Sequence, residues 1–318
     1  MKFEVTILGT AAATPAYGRF PTSQVLNIQD HWYMIDCGEG TQMRLTDFHI
    51  PRNRINHIFI SHLHGDHCFG LPGFLTSMSL NGRREDLHIF SPAGLQEMID
   101  TIIKISDSYL LFPVHYHIVD TEKHELLYEN NVLTVHSIPL KHTVPTSGFL
   151  FQEKPFLPNF IKEKIIEHEI PVTQIPLIKA GADFIKTDGT TVPHHEMVYP
   201  PVPSRAYAFC SDTMYHEPII PIIENINLLY HETTFTEEFI ENAAWGMHST
   251  AFQAATIAKK ANVGELITGH YSARFQDFQP LLAEAKKVFA NTSPSSDGSV
   301  FSIPYVKSSL NPSEGGTF

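Results

Sequence analysis

The fold is decided by the stretch Ile58-Phe59-Ile60-Ser61-His62-Leu63-His64-Gly65-Asp66-His67-Cys68. Its first three residues are apolar and predict a short buried strand. Because side chains alternate between the two faces of a strand, His62 and His64 should point the same way. The glycine that follows permits a tight turn, which brings Asp66 and His67 round from the other side. The stretch therefore predicts a strand and a turn with two groups of polar side chains that face each other.

These side chains carry the donor atoms that divalent transition metals bind. Imidazole nitrogens and a carboxylate, without thiolate, suit Zn²⁺ or a similar cation such as Mn²⁺ or Fe²⁺. The alternative is a solvated, histidine-rich turn. We favour a metal site because the spacing of the donors fits the strand-then-turn geometry. The stretch therefore predicts two half-sites for metal ions.

The composition describes an acidic chain with enough apolar residues for a sizeable core. The chain has 318 residues, of which 42% are hydrophobic, and a formal net charge of -12. The negative charge argues against broad, non-specific binding of nucleic acid, but it leaves room for a local basic patch. Apolar runs are too short for a membrane helix, and the three cysteines have no disulfide-like spacing. We therefore expect a cytoplasmic protein with no membrane partner.

Strand and helix patterns alternate along the chain without a clean βαβ repeat. Helices are predicted at 41–48, 70–80, 94–105, 218–224, 250–261 and 278–289. Two mixed sheets that pack together, with helices outside, fit this order best, and we expect one domain over 1–318. The segment 155–203 holds eight prolines and is interpreted as an inserted, protruding arm. The tail, 311–318, is expected to be mobile.

Further donors occur where later predicted strands end. His142, Asp212 and His270 each follow a short apolar stretch. Side chains at strand ends have rigid supports and face one edge of a sheet, so these three should join the first motif in one site. The other histidines without a partner pattern are interpreted as surface or hydrogen-bonded residues: His57, His88, His115, His117, His124, His136, His168, His194, His195 and His216.

With these residues placed, the chain resembles the metallo-β-lactamase superfamily and, within it, the ribonuclease Z family, over nearly its whole length. The matching motifs are 35–42, 61–71, 288–292, Leu8-Gly9-Thr10, Ser211-Asp212-Thr213, His231-Glu232-Thr233-Thr234-Phe235, His248-Ser249-Thr250 and Gly269-His270-Tyr271-Ser272-Ala273-Arg274-Phe275. The later motifs are the more family-specific, because the wider superfamily shares only the early ones. The resemblance implies a four-layered αββα metallo-β-lactamase sandwich with a protruding arm.

The resemblance also implies a ligand set for two zinc ions. Two groups of three would each hold one ion: His62, His64 and His142, and Asp66, His67 and His270. Asp212 would bridge them, since a carboxylate has two oxygens and can span ions ~3.5–4 Å apart. Mn²⁺ or another divalent cation is an alternative occupant. Asp36 would accept a hydrogen bond from a ligand histidine and fix its tautomer, or would serve as a turn cap.

The implied chemistry is hydrolysis of a phosphodiester. Two cations lower the pKa of a shared water, and the resulting metal-bound hydroxide attacks phosphorus in line. Asp66 would orient that water or accept its proton. His248 is the candidate proton donor to the departing 3′-oxygen, and Glu232 would favour its charged form. Alternatively, His248 is a helix-start residue that packs on Trp245.

The family acts on precursor tRNA and forms homodimers, so the resemblance implies an endoribonuclease that cuts at the tRNA 3′ end. Two departures affect RNA binding. The loop 15–20 keeps Pro15 and Arg19 but has Tyr17 and Phe20 where the family carries lysine and asparagine, and either ring could stack on a base. The arm lacks the family's Gly-Pro, basic pattern, and its balanced charge should hold RNA less tightly.

Two rival functions stay open. One is a small-molecule phosphodiesterase on the same fold, which the acidic balance and the altered arm would suit. The other is a non-catalytic RNA-binding or scaffold protein, against which the intact ligand set and His248 argue.

Overall fold

The computed structural model describes residues 1–305, and these residues divide into two compact units. The first unit is formed by Met1–Gln152 and Ala206–Ile303, and the second by Glu153–Arg205 with Pro304 and Tyr305. The tail predicted to be mobile, 311–318, lies outside the described residues. Among residues 1–305, no helix combines the length and the apolar character needed to cross a lipid bilayer.

The strands are β1 (Phe3–Gly9), β2 (Ser23–Ile28), β3 (His31–Ile35), β4 (Ile55–Phe59), β5 (Leu87–Ser91), β6 (Val114–Ile118), β7 (Leu126–Glu129), β8 (Leu133–Pro139), β9 (Ser147–Glu153), β10 (Phe184–Ile185), β11 (Thr191–Val192), β12 (Ala206–Cys210), β13 (Leu228–Glu232), β14 (Glu265–Gly269), β15 (Thr292–Pro294) and β16 (Val300–Ser302). The helices are α1 (Thr41–Asp47), α2 (Gly65–Cys68), α3 (Leu71–Leu80), α4 (Leu95–Ile105), α5 (Lys162–Glu167), α6 (Ile175–Lys179), α7 (His194–Met197), α8 (Ile240–Gly246), α9 (Ala251–Lys260) and α10 (Gln279–Val288).

The predicted helices are confirmed within a residue of their bounds, with one exception. The prediction of a helix at 218–224 is wrong, because the chain there forms only a 3₁₀ turn, Glu217–Ile219. Pro221 would sit inside such a helix, where it removes a backbone N–H and its ring crowds the carbonyl one turn earlier.

Two mixed seven-stranded sheets form the first unit. In the first sheet the strand order is β16-β1-β2-β3-β4-β5-β6, and the neighbours from β3 to β6 run parallel. In the second sheet the order is β15-β14-β13-β12-β9-β8-β7, and the neighbours from β12 to β15 run parallel. In each sheet, therefore, the parallel strands end at a common edge.

The two sheets pack face to face around a shared apolar core. Phe59 of β4 contacts Phe149 of β9 with the ring centroids 5.4 Å apart, and both side chains are fully buried. Helices cover the outer faces: α3 and α4 bury Leu75 and Ile99 against the first sheet, while α9 and α10 bury Ile257 and Leu281 against the second. The predicted four-layered αββα sandwich is thereby confirmed.

The second unit has a small apolar core of its own, built from α5, α6, α7 and the β10–β11 hairpin. Its buried residues are Phe160, Ile170, Ile178, Phe184, Val192, Met197 and Val198. At its base, Arg205 donates two hydrogen bonds to the Glu153 carboxylate, at 2.7 and 2.8 Å, and both side chains are buried. The predicted arm, 155–203, lies inside this unit, and its protrusion from the sandwich stays a prediction.

Candidate metal centre

Seven histidine and aspartate side chains meet where strands of both sheets end. The first sheet contributes the residues that follow β4 and those of α2: His62, His64, Asp66 and His67. The second sheet contributes one residue after each of β8, β12 and β14: His142, Asp212 and His270. The structure thus brings together every residue that the sequence proposed as a metal ligand.

One group of donors surrounds the Oδ2 carboxylate oxygen of Asp212. The Nε2 atoms of His62 and His142 each lie 3.6 Å from Asp212 Oδ2. His64 completes the group, since its Nδ1 lies 3.3 Å from His142 Nε2. The other nitrogen of His142, Nδ1, donates to the Met247 carbonyl at 3.1 Å. That hydrogen bond leaves the lone pair of His142 Nε2 directed at the group.

The other group of donors surrounds Oδ1 of the same carboxylate. Asp212 Oδ1 lies 3.2 Å from His67 Nε2 and 3.1 Å from His270 Nε2. Asp66 Oδ2 lies 3.5 Å from His67 Nε2 and 3.6 Å from His270 Nε2. Asp212 therefore faces one group with each of its oxygens, which is the arrangement of a bridging carboxylate.

The spacing of these donors fits tetrahedral metal coordination. Zinc holds imidazole nitrogen at about 2.0–2.1 Å, which places neighbouring donors about 3.3 Å apart. The separations here run from 3.1 to 3.6 Å. In addition, the buried His62 Nε2 has no hydrogen-bond partner within residues 1–305. A buried polar atom without a partner is costly, and a cation that takes its lone pair would remove that cost.

The electrostatics of the cluster also favour a cation. Burial opposes protonation of His67, but the carboxylates of Asp212, Asp66 and Asp36 outweigh it and raise the pKa of His67 well above its ordinary value. Burial and the neighbouring His67 lower the pKa of His62 well below its usual range, so its lone pair stays free. The cluster therefore attracts positive charge, and a metal ion would displace the proton of His67.

Three strand ends are held in a conformation that most residues avoid. Asp36, Asp212 and His270 follow β3, β12 and β14 with φ values of 56°, 61° and 56°. Left-handed backbone is uncommon outside glycine, although aspartate and histidine adopt it more readily than most residues. Such strain costs of order 1–3 kcal/mol per residue and persists where the surrounding packing enforces it. All three residues are buried, so the packed sheet edge fixes the direction in which each side chain leaves the chain.

Asp36 holds His67 in one tautomer. His67 Nδ1 donates to Asp36 Oδ2 at 2.7 Å. The same carboxylate accepts hydrogen bonds from the backbone N–H of Ser61 at 2.7 Å and from its hydroxyl at 2.8 Å. With Nδ1 protonated, His67 directs the lone pair of Nε2 at the metal donors. The hydrogen bond expected of Asp36 is confirmed.

Glu232 connects the second metal group to His248. Its carboxylate is fully buried and accepts from His248 Nδ1 at 2.9 Å and from the Thr213 N–H at 2.6 Å. The Thr234 hydroxyl also donates to Glu232, and its oxygen lies 3.0 Å from His270 Nδ1. Thr234 therefore orients the His270 ring. The sequence motif could not indicate this role, because the two partners of the hydroxyl, Glu232 at the end of β13 and His270 directly after β14, are brought together only by the fold.

His248 lies beside the metal donors and is partly accessible. Donor atoms of Asp212, His248 and His270 lie within 4.8 Å of one another, and 18% of the His248 side chain is exposed. Burial lowers its pKa, but the Glu232 carboxylate outweighs that effect and raises the pKa of His248 to about 9. Trp245 is 89% exposed, so packing on Trp245 does not account for the position of His248.

The loop 15–20 begins close to the cluster, since the backbone N–H of Ala13 donates to Asp66 Oδ2 at 2.8 Å. Within the loop, Arg19 donates to the Phe275 carbonyl at 2.6 Å, so its guanidinium holds the loop in place. Phe20 packs beneath the Arg44 guanidinium, 4.8 Å from the ring centroid. Tyr17, by contrast, is 57% exposed. Of the two aromatic departures, Tyr17 is therefore the one that presents a ring to solvent.

Comparisons with known proteins agree with this architecture. Residues 3–159 match the family model described as Anti-Pycsar protein Apyc1. A curated "Ribonuclease Z" of Parabacteroides distasonis is 43% identical over 95% of this chain and 99% of the relative. That of Bacteroides thetaiotaomicron is 44% identical over 92% of each chain.

Solved structures extend the likeness to three dimensions. The short form of human tRNase Z superposes with a TM-score of 0.68 at 27% identity, over 95% of this chain and 99% of the other. YhfI of Bacillus subtilis, a metallo-β-lactamase fold protein, superposes with a TM-score of 0.68 at 19% identity, over 95% of this chain and 100% of the other. At that identity, the second likeness speaks for the fold alone.

Proposed function

Because the chain belongs to the ribonuclease Z family, we propose that it is a metal-dependent endoribonuclease that hydrolyses a phosphodiester at the 3′ end of precursor tRNA. The single observation that carries the proposal is the Asp212 carboxylate, whose two oxygens face two separate groups of donors. That geometry suits two cations held side by side, which is the arrangement used for in-line displacement at phosphorus.

The proposed ligands are the residues that the sequence suggested. His62, His64 and His142 would hold one Zn²⁺, and Asp66, His67 and His270 the other, with Asp212 shared; Mn²⁺ or another divalent cation would suit the same donors. When bound, two such cations supply an activated water and neutralise charge on the phosphate.

His248 is the proposed proton donor to the departing 3′-oxygen. Its Nδ1 is occupied by Glu232, which leaves Nε2 as the nitrogen that can donate. Glu232 raises the pKa of His248 to about 9 against the effect of burial, which favours the imidazolium, the form that can donate a proton. Glu232 is a positioning residue in this proposal, because it acts on the substrate only through His248.

Asp66 is proposed to orient the attacking water. Burial would raise its pKa, but His67 and His270 outweigh that effect and hold the pKa of Asp66 below its ordinary value. The N–H of Ala13 already occupies Oδ2 from the side of the loop 15–20. Asp66 therefore stays ionised, and its position links the geometry of the water to that of the RNA-facing loop.

The contacts with RNA beyond the scissile phosphate are proposed to come from Tyr17 and from the arm, 155–203. An exposed tyrosine can stack on an unpaired base, whichever of the four bases it is. The homodimer implied by the family and the cytoplasmic location expected from the composition stay predictions. The mass of the protein in solution, measured by light scattering, would test the dimer.

The test is cleavage of a 3′-extended precursor tRNA by the purified protein with Zn²⁺ or Mn²⁺, beside Asp212→Ala as control. A single cut near the 3′ end of the mature tRNA, lost in the variant, is the expected result. If precursor tRNA is not cut but a small phosphodiester is hydrolysed, the small-molecule phosphodiesterase is the better assignment. RNA binding without hydrolysis of either substrate would favour the non-catalytic alternative.

A further inference from the structure

A ladder of histidines crosses three parallel strands of the first sheet, away from the Asp212 cluster. His57 of β4 pairs with His88 of β5, and His88 pairs with His115 of β6 in the strand register. Their rings stack, with centroids 5.3 Å apart for the first pair and 4.8 Å for the second. Parallel register thus gathers imidazoles that are remote in sequence onto one face at the sheet edge.

Two further polar side chains join the open end of this ladder. Asp86 Oδ2 lies 2.9 Å from His115 Nε2, and His117 Nε2 lies 3.0 Å from His88 Nδ1. One donor atom from each of Asp86, His88 and His115 lies within 4.8 Å of the other two. A carboxylate and two imidazoles at such separations form a donor set for a borderline cation.

Solvent can reach these donors. About half of the Asp86 and His115 side chains is exposed, 55% and 45% respectively. In the structure the Asp86 carboxylate contacts His115 Nε2 at 2.9 Å, so an ion bound there would replace this single contact with bonds to both donors.

We propose that Asp86, His88 and His115 bind a divalent transition-metal ion, with His117 beside them, at the β5–β6 edge of the first sheet. Zn²⁺, Ni²⁺ and Cu²⁺ suit the nitrogen and oxygen donors. With three protein ligands on side chains that can rotate, this site binds more weakly than the buried Asp212 cluster.

The bound ion would fasten an edge strand. β6 is the last strand of its sheet, and an edge strand has one row of backbone groups without a neighbouring strand. His115 lies on β6, whereas His88 and Asp86 belong to β5 and the loop before it. A cation shared among them links β6 to β5 through side chains as well as through the backbone, so it should slow hydrogen exchange in β6.

The test counts metal ions on the whole, metal-stripped protein. Wild type and the double variant His88→Gln/His115→Gln are titrated with Zn²⁺ by calorimetry, and bound zinc is counted after dialysis. A matched control is His124→Gln/His136→Gln, which alters another stacked histidine pair, 5.3 Å between centroids, that is part of no three-donor group in residues 1–305. We expect the first variant to bind one ion fewer than wild type and the control to bind the same number.

The count is a difference between variants, so it does not depend on how many ions the Asp212 cluster holds. Equal zinc content in wild type and the double variant would overturn the proposal. If circular dichroism shows the double variant to be unfolded, Asp86→Asn decides, because it removes the anionic donor from an exposed loop at constant size. That variant should lose the zinc-dependent slowing of β6 exchange, and retention of the full effect would also overturn the proposal.

Discussion

Replacing His248 with alanine should slow cleavage of precursor tRNA by ~10²–10⁴-fold, the range typical of a lost general acid. In free energy of activation, that factor corresponds to about 2.7–5.5 kcal/mol. Both metal groups should survive the change. His248 is not among the seven proposed ligands, and its Nδ1 is bound to Glu232.

The loss of stability should be moderate. The alanine variant removes one hydrogen bond from Glu232, which costs at least about 1–3 kcal/mol because the acceptor is buried and charged. Glu232 Oε1 would still accept from the Thr213 N–H at 2.6 Å. The variant is therefore expected to fold and to retain wild-type metal content, which elemental analysis would check before any rate is measured.

The decisive assay compares two leaving groups. Cleavage of RNA expels a basic 3′-oxygen that needs a proton, whereas hydrolysis of a bis(nitrophenyl) phosphate expels a stabilised phenolate that needs none. The alanine variant should lose most of its single-turnover rate on precursor tRNA and little of its rate on the nitrophenyl ester. An equal loss on both substrates, with metal content intact, would refute the assignment of His248 as proton donor.

Three further substitutions test other contacts of the protein. Glu232→Gln should move the fall of the cleavage rate at high pH to a lower pH. His248 can donate a proton only below its pKa, and Glu232 raises that pKa to about 9 against the effect of burial. Profiles of cleavage rate against pH would check the direction of the shift. Asp36→Asn should weaken metal binding about 10–100-fold, because an amide NH₂ facing Nδ1 would favour the His67 tautomer with a protonated Nε2; unchanged zinc affinity by competition with a chelator would contradict this. Thr250→Ala should cost about 1 kcal/mol by removing the hydroxyl that caps α9, with activity at low temperature retained, as thermal unfolding would measure.

The proposed metal donors could be predicted from the sequence because most of the information is local. His62, His64, Asp66 and His67 lie within six consecutive positions, so their grouping is local. The predicted strand was too long, however: His62 and His64 follow β4 instead of lying on it, and Asp66 and His67 belong to α2. His142, Asp212 and His270 were proposed because each follows a predicted strand, and the resemblance to a known family then divided the seven residues between two ions. The structure adds that each group faces its own oxygen of Asp212, a geometry that no spacing encodes.

From the sequence alone, the histidines of the ladder were interpreted as separate surface or hydrogen-bonded residues. The ladder was missed because the sequence does not reveal the register of the parallel strands. His88 and His115 belong to parallel strands joined by a long crossover, so their alignment depends on how the sheet assembles. Sequence patterns fix which face of a strand is apolar, but they do not fix which residue lies beside which on the next parallel strand. The contacts of Thr234 and Met247 with His270 and His142 were missed because they join loops that are remote in sequence.

The origin of the proposed ligands in two different sheets has a consequence for the lifetime of the folded chain. The first sheet supplies the donors after β4 and in α2, and the second supplies those after β8, β12 and β14. In a loaded protein, the sheets could not part at this edge until one side released a cation. The rate at which the two sheets separate would then be limited by the rate of ligand exchange at the ion. Two metals of equal affinity but different exchange rates would therefore make the protein resist proteolysis for different times.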